Sequence, residues 1–353
     1  MMALNVLKVF GLAAVSFVLA IAATPLLTHY LYKYKMWKKV PRLKESDKVE
    51  RDIPSVASLD KGKEVGTPRM GGVLIWLSTT LVVLLVFVIS KIFPSDITEK
   101  INFFSRSQTW LPLFTLISAS LLGITDDILV IYGKGGYSSG GISLTKRIAI
   151  VLLIGLVGGF WFYNKLEVSS IAIPFVGEIG LGLLFVPIFM ITMLVMFSGG
   201  VIDGIDGLSG GVFASMFSAY AGIAFFQNQV DLATFCAVLV GGILAFLWFN
   251  IPPARFYMGE TGTLGLTTVL TVVAFLTGAV GVLPIIAFPL LAESGSDVIQ
   301  LLSKKYFGKK VFLIAPIHHH FEAKGWPSYK VVMRAWVISA VLSIIGMVIH
   351  LVG

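Results

Sequence analysis

Residues 71–93 read GGVLIWLSTTLVVLLVFVISKIF, and Lys91 is the one charged side chain among them. A helix of that length crosses a bilayer hydrocarbon core of roughly 30 Å. An almost wholly apolar run has neither a helical stripe nor a strand alternation, so length is what decides its form. Nine more such stretches lie at about 4–32, 109–125, 147–163, 181–199, 209–226, 232–250, 263–279, 282–302 and 332–352. The expectation is an all-α polytopic membrane protein, a single domain spanning 1–353 with about ten transmembrane helices. Composition agrees, because 13% charged residues cannot cover a water-soluble chain that is 56% hydrophobic.

Orientation follows from where the positive charges fall. Of the 27 Lys and Arg residues, 22 lie in 33–69, 126–147, 251–262 and 303–334, loops that share one face. The positive-inside rule places that face in the cytoplasm and both termini outside, as expected of a multi-pass protein of the bacterial inner membrane. The basic balance is then explained by topology, and with no interleaving of basic and aromatic residues a nucleic-acid partner is not expected. Lys33, Lys35, Lys38 and Lys39 follow the first apolar run, a pattern of an uncleaved span, not of a signal peptide. Cys236 is the single cysteine, which excludes an intrachain disulfide. The outer segment 166–180 is β-branched with a central Pro-Phe-Val-Gly, which predicts a short hairpin.

Polar motifs gather on the basic face only. Asp126-Asp127 ends the third span, where acids are the wrong sign for a helix C-terminus and repel each other unless a cation compensates. Mg²⁺ suits that role because it takes oxygen ligands and is shared with substrate phosphates. Asp203-Gly204-Ile205-Asp206-Gly207 sets two acids three apart among glycines that let backbone approach a ligand; if helical, Asp203 and Asp206 share a face. Glu260, in Met-Gly-Glu-Thr-Gly-Thr, precedes the eighth span, and Phe256 before it is a candidate to stack on a nucleobase. Thr67-Pro68-Arg69-Met70-Gly71-Gly72 opens the second span, where proline and close-packed glycines are an ordinary structural need, and Lys61, Lys63 and Arg69 are equally candidates to attract a polyanion. His318-His319-His320 cannot all turn to one ion, so phosphate hydrogen bonding or proton transfer fits them better than a transition metal. Glu293 and Asp297, four apart in the ninth span, must point inward; a buried polar network and a site are equally open there.

Together these residues resemble the polyprenyl-phosphate N-acetylhexosamine-1-phosphate transferase superfamily, and within it the phospho-N-acetylmuramoyl-pentapeptide transferases. The resemblance runs from about residue 60 to the C-terminus. Its most specific part is Pro316-Ile317-His318-His319-His320-Phe321-Glu322, followed by Gly325-Trp326-Pro327 and Lys330-Val331-Val332-Met333-Arg334. It implies transfer of phospho-MurNAc-pentapeptide from UDP-MurNAc-pentapeptide to undecaprenyl phosphate, giving lipid I and UMP, with Mg²⁺ as cofactor. It also implies roles: Glu260 and Asp203 on the metal, Asp126 or Asp127 on the lipid phosphate, His318 and His319 on phosphate oxygens. Substrate contacts are then expected from Lys63, Thr67, Gly204, Asp206, Phe256 and His320. A homodimer is the family's habit. Four positions depart from the family pattern: Val130 stands for Lys, Gly200 for Asn, Glu260 for Asp and Arg69 for Thr.

Three rivals remain at this stage. A GlcNAc-1-phosphate transferase of the same superfamily shares most motifs, an inactive scaffold would tolerate Val130 and Gly200, and a membrane transporter would place its acids near the midplane. If the acids are catalytic, Asp127→Asn or Glu260→Gln abolishes turnover and leaves folding intact, which UMP release and thermal melting would check together.

Overall fold

The computed structural model describes residues 2–38, 66–135 and 140–353. Among them, nine helices are long and apolar enough to cross a bilayer. They are α1 (Met2–Lys33), α2 (Val73–Ile92), α4 (Trp110–Ile131), α5 (Leu144–Lys165), α6 (Phe185–Ser198, within the span Gly182–Ile202), α7 (Leu208–Phe226), α8 (Val230–Asn250), α9 (Gly259–Leu276) and α13 (Ser328–Val352). Short α3 (Asp96–Ile101) and α12 (Ile317–Ala323) lie between spans. The all-α polytopic fold expected from the sequence is the one observed. The short hairpin expected within 166–180 is also present, with β1 (Ser170–Ile173) antiparallel to β2 (Gly177–Gly180) and Ile171 opposite Ile179.

The ninth apolar stretch, expected as one span over 282–302, is broken instead. Ala279–Ile286, which ends in α10 (Leu283–Ile286), meets α11 (Phe288–Phe307) at a bend of 64°. Pro289 gives the reason, since it lacks the amide proton a continuous helix needs and its ring crowds the preceding turn. The bend brings Glu293 to the buried side of α11 and leaves Val298, Leu301 and Leu302 exposed on the other.

The core centres on α7, α8 and α9, with α9 the most enclosed. That helix is rich in threonine, which is poor core material unless its hydroxyls are satisfied. They are: Thr267 and Thr268 donate to the carbonyls of Thr263 and Leu264 one turn back. The first turn of α9 is held by α4 through a side-chain-free approach. A Cβ on Gly123 would collide with the Glu260 carbonyl, so the two helices meet backbone to backbone here. This contact is what sets the acids of α4 against the head of α9.

Gly123→Val is therefore expected to force the pair apart, at about 1–3 kcal/mol. Gly295→Ala, where nothing lies within 4 Å of the added carbon, is expected to be neutral. Thermal melts of both variants in detergent check this: the first should fall by several degrees and the second should match wild type.

Candidate active site

The site is built around the N-terminus of α9, where a helix presents amides with no partner of its own. Asp127 takes them. Its Oδ1 accepts from the Glu260 amide at 3.2 Å, and its Oδ2 accepts from the Thr261 amide at 3.0 Å and the Thr261 hydroxyl at 2.8 Å. Arg69 adds Nε at 3.3 Å. The carboxylate is 0% exposed. Asp203 completes the collar: its Oδ2 accepts from the Gly259 amide at 3.1 Å and its Oδ1 from the Ser209 hydroxyl at 2.8 Å. Three successive amides of one helix thus hold two aspartates brought from two other segments. Gly259 is needed between them, with φ of 70° and a hydrogen where a Cβ would strike the Asp127 carboxylate.

Arginine joins the remaining acids. Arg147 Nη1 lies 2.7 Å from Glu260 Oε1 and 3.8 Å from Asp126 Oδ2, and Asp126 Oδ1 accepts from the Ile142 amide at 2.6 Å. The Glu260 side chain keeps 28% of its surface exposed, whereas Asp126 keeps 2%. Burial raises the Asp203 carboxyl above the ordinary aspartate value, against the opposing pull of the Ser209 and Gly259 hydrogen bonds and of Arg69. Among the described residues four carboxylates (Asp126, Asp127, Asp203, Glu260) face two arginines, an excess of acidic over basic side chains. The N-terminal end of the α9 dipole, roughly half a positive charge, offsets a fraction of this.

The histidines point three ways, as their adjacency requires. His318, 2% exposed, turns inward so that its Nδ1 lies 2.8 Å from Glu293 Oε2 and its Nε2 rests against Gly204. His319 Nδ1 lies 2.8 Å from Glu322 Oε2. Burial alone would raise the Glu322 carboxyl, but the bonds from His319 and Ser328 outweigh it and hold it low. His320 accepts from the Leu313 amide at 3.1 Å, away from the acids, and burial followed by Lys324 lowers its pKa.

Several expectations need correction. Asp126-Asp127 do not end a span: α4 continues to Ile131, and Asp127 serves the positive end of α9, not the negative end of its own helix. Asp127→Asn is therefore not a clean catalytic probe. Asp203 and Asp206 do not share a helical face, because the chain turns after Ile202; Asp206 instead accepts from the Ala254 amide at 3.2 Å. Phe256 is 0% exposed, packed between Phe246 and Phe249, and so cannot meet a nucleobase as it stands. Thr67 is half-buried beside Pro68, whose carbonyl accepts from the Tyr257 amide. Lys63 lies outside the described residues. Val130 packs by the Gly140-Gly141 backbone, so the cations on these acids are Arg69 and Arg147. Arg147 was counted only as a topological charge, yet its place in the first turn of α5 gives it away. A cation there opposes the helix dipole unless acids meet it.

The family described as Glycosyl transferase family 4 matches residues 109–278, from the start of α4 to just beyond α9. With that match, fold and site define the class: an integral-membrane glycosyl transferase whose polar centre sits at one end of the bundle. Three relatives extend the likeness along nearly the whole chain, each named phospho-N-acetylmuramoyl-pentapeptide-transferase. That of Anoxybacillus flavithermus is 33% identical over 96% of both chains, and that of a Geobacillus species 34% over 95% of both. That of Pelagibacter ubique is 36% identical over 81% of this chain and 80% of its own. The chain belongs to the phospho-N-acetylmuramoyl-pentapeptide-transferase family.

Asp127 and Glu260 are separable by stability. Asp127→Ala would orphan buried amides and cost about 3 kcal/mol. Glu260→Gln breaks one partly exposed ion pair and should cost less than about 1 kcal/mol. Melting temperature and turnover measured on both variants would distinguish cap from working group; equal melting losses would contradict the assignment.

Proposed function

We propose that the chain transfers phospho-MurNAc-pentapeptide from UDP-MurNAc-pentapeptide to undecaprenyl phosphate, yielding lipid I and UMP at the cytoplasmic face of the inner membrane. The observation that carries this reading is the convergence of Asp127, Asp203 and Glu260, from three separate segments, on the first turn of α9. The Lys and Arg asymmetry of the loops supports the cytoplasmic side for that end. Acids gathered at one end, not at mid-bundle, argue against transport.

Among the described residues no three His, Cys, Asp or Glu side chains group as a metal cage. Mg²⁺ seldom uses one; it binds one or two carboxylates and shares substrate phosphates. The donors fit that mode. Among the described residues Glu260 Oε2 has a 3.4 Å contact from Thr263, and the Asp203 oxygens accept a hydrogen bond each, from Ser209 and from Gly259. Glu260 and Asp203 would hold the ion. Bound there, Mg²⁺ would supply charge neutralisation for the nucleotide diphosphate and its UMP leaving group.

The chain's own groups do the rest. Asp127 and Asp203 fix the head of α9 and so aim Glu260. Arg147 holds the Glu260 carboxylate through Nη1 at 2.7 Å. The phosphate monoester of the acceptor has a second pKa near 6, so it needs orientation more than a strong base. Asp126, pinned by Ile142 and Arg147, and His319, partly exposed beside Glu322, are placed to orient it.

Purified protein given undecaprenyl phosphate should release UMP from UDP-MurNAc-pentapeptide and not from UDP-GlcNAc. Chelation should stop release and Mg²⁺ restore it. Equal use of UDP-GlcNAc, or release indifferent to chelator, would overturn the reading.

A further inference from the structure

Glu293 sits on α11 just past the break and faces the histidine loop. Its Oε2 lies 2.8 Å from His318 Nδ1 and 3.4 Å from the His318 amide, so one buried oxygen addresses both the ring and the backbone of the same residue. Two turns along α11, on the same face, Gln300 grips the other end of the loop: it accepts from the Val311 and Phe312 amides and donates to the Phe312 carbonyl. The loop is strapped to α11 at both ends.

A carboxylate can only accept, so Nδ1 of a neutral His318 must carry the proton. Nε2 is then a lone pair. It is buried and has no hydrogen-bond partner among the described residues. What it faces is Gly204, an exposed residue next to Asp203, and the ring fits there only because Gly204 has no Cβ. A purely structural network satisfies its members; this one satisfies all of the ring except the atom turned toward Gly204.

We propose that Glu293 is a positioning residue. It fixes His318 as the Nδ1–H tautomer and turns Nε2 past Gly204, where it accepts the P–OH hydrogen bond of a phosphate monoester, the headgroup of the lipid acceptor. The diphosphate of the nucleotide carries no such hydrogen near neutrality, whereas a monoester, with its second pKa near 6, still does. The assignment to the acceptor rests on the function proposed above; the tautomer does not.

Glu293→Leu removes the acceptor and should lower kcat about 10²-fold, with KM for the nucleotide unchanged. Glu293→Gln keeps an oxygen for both N–H groups and should recover most of the loss, a rescue that a merely charged core residue would not give. In ¹⁵N-histidine NMR of the wild-type protein, the neutral His318 ring should carry its proton on Nδ1. Gly204→Ala, which leaves Glu293 untouched, should displace the ring resonances and lower kcat as well. Wild-type kcat in Glu293→Leu, or a neutral ring protonated on Nε2, would overturn the proposal. If Glu293→Leu does not fold, the wild-type spectrum and Gly204→Ala decide. If the wild-type protein itself releases no UMP, the proposed activity fails while the spectrum still judges the tautomer.

Discussion

Three amide protons at the head of one buried helix organise the polar end of this molecule. The amides of Gly259, Glu260 and Thr261 have no partners within α9, and an unpaired amide at a buried helix end is costly. Asp203 and Asp127 satisfy them, and in doing so bind the 199–207 turn and α4 to the same point. The repulsion expected of gathered carboxylates is repaid by hydrogen bonds to those amides and by two arginines. Convergence of the acids is thus a folding requirement in its own right, and of the four carboxylates Asp126 and Glu260 are the two that these amides do not consume.

The broken helix gives the second half of the site the same logic. Pro289 interrupts what would otherwise be a lipid-facing span, and the resulting α11 directs Glu293 and Gln300 at the histidine loop. Its opposite face stays apolar and exposed. One element thus presents an exposed apolar face on one side and addresses an imidazole on the other.

The bundle itself was legible in the sequence because hydrocarbon thickness leaves little choice: the ten apolar stretches correspond, among the described residues, to nine helices long and apolar enough to cross a bilayer and one bent pair. The bend was not, since proline inside an apolar run marks both kinked and continuous membrane helices. The acids and histidines could be singled out as residues, but their partners could not. Asp127 was read against its own helix, and the helix it caps begins 132 residues later at Gly259. Phe256 has the composition of a stacking residue and the burial of a core one, a distinction only packing makes. Arg147 carried a usable signal, a cation at the wrong end of a dipole. Glu293 carried half of one, a carboxylate too costly to leave facing lipid.

The departures from the family pattern also become physical. Glu260 is one methylene longer than the usual aspartate and reaches Arg147 at 2.7 Å, while Val130 leaves no lysine beside Asp126. The central claim, that a divalent cation belongs at the first turn of α9, can be tested by locating it. Anomalous scattering from crystals of the protein soaked with Mn²⁺ and the nucleotide substrate should place a single peak about 2.1 Å from a Glu260 carboxylate oxygen. A peak held by other residues, with none at Glu260 or Asp203, would contradict the account.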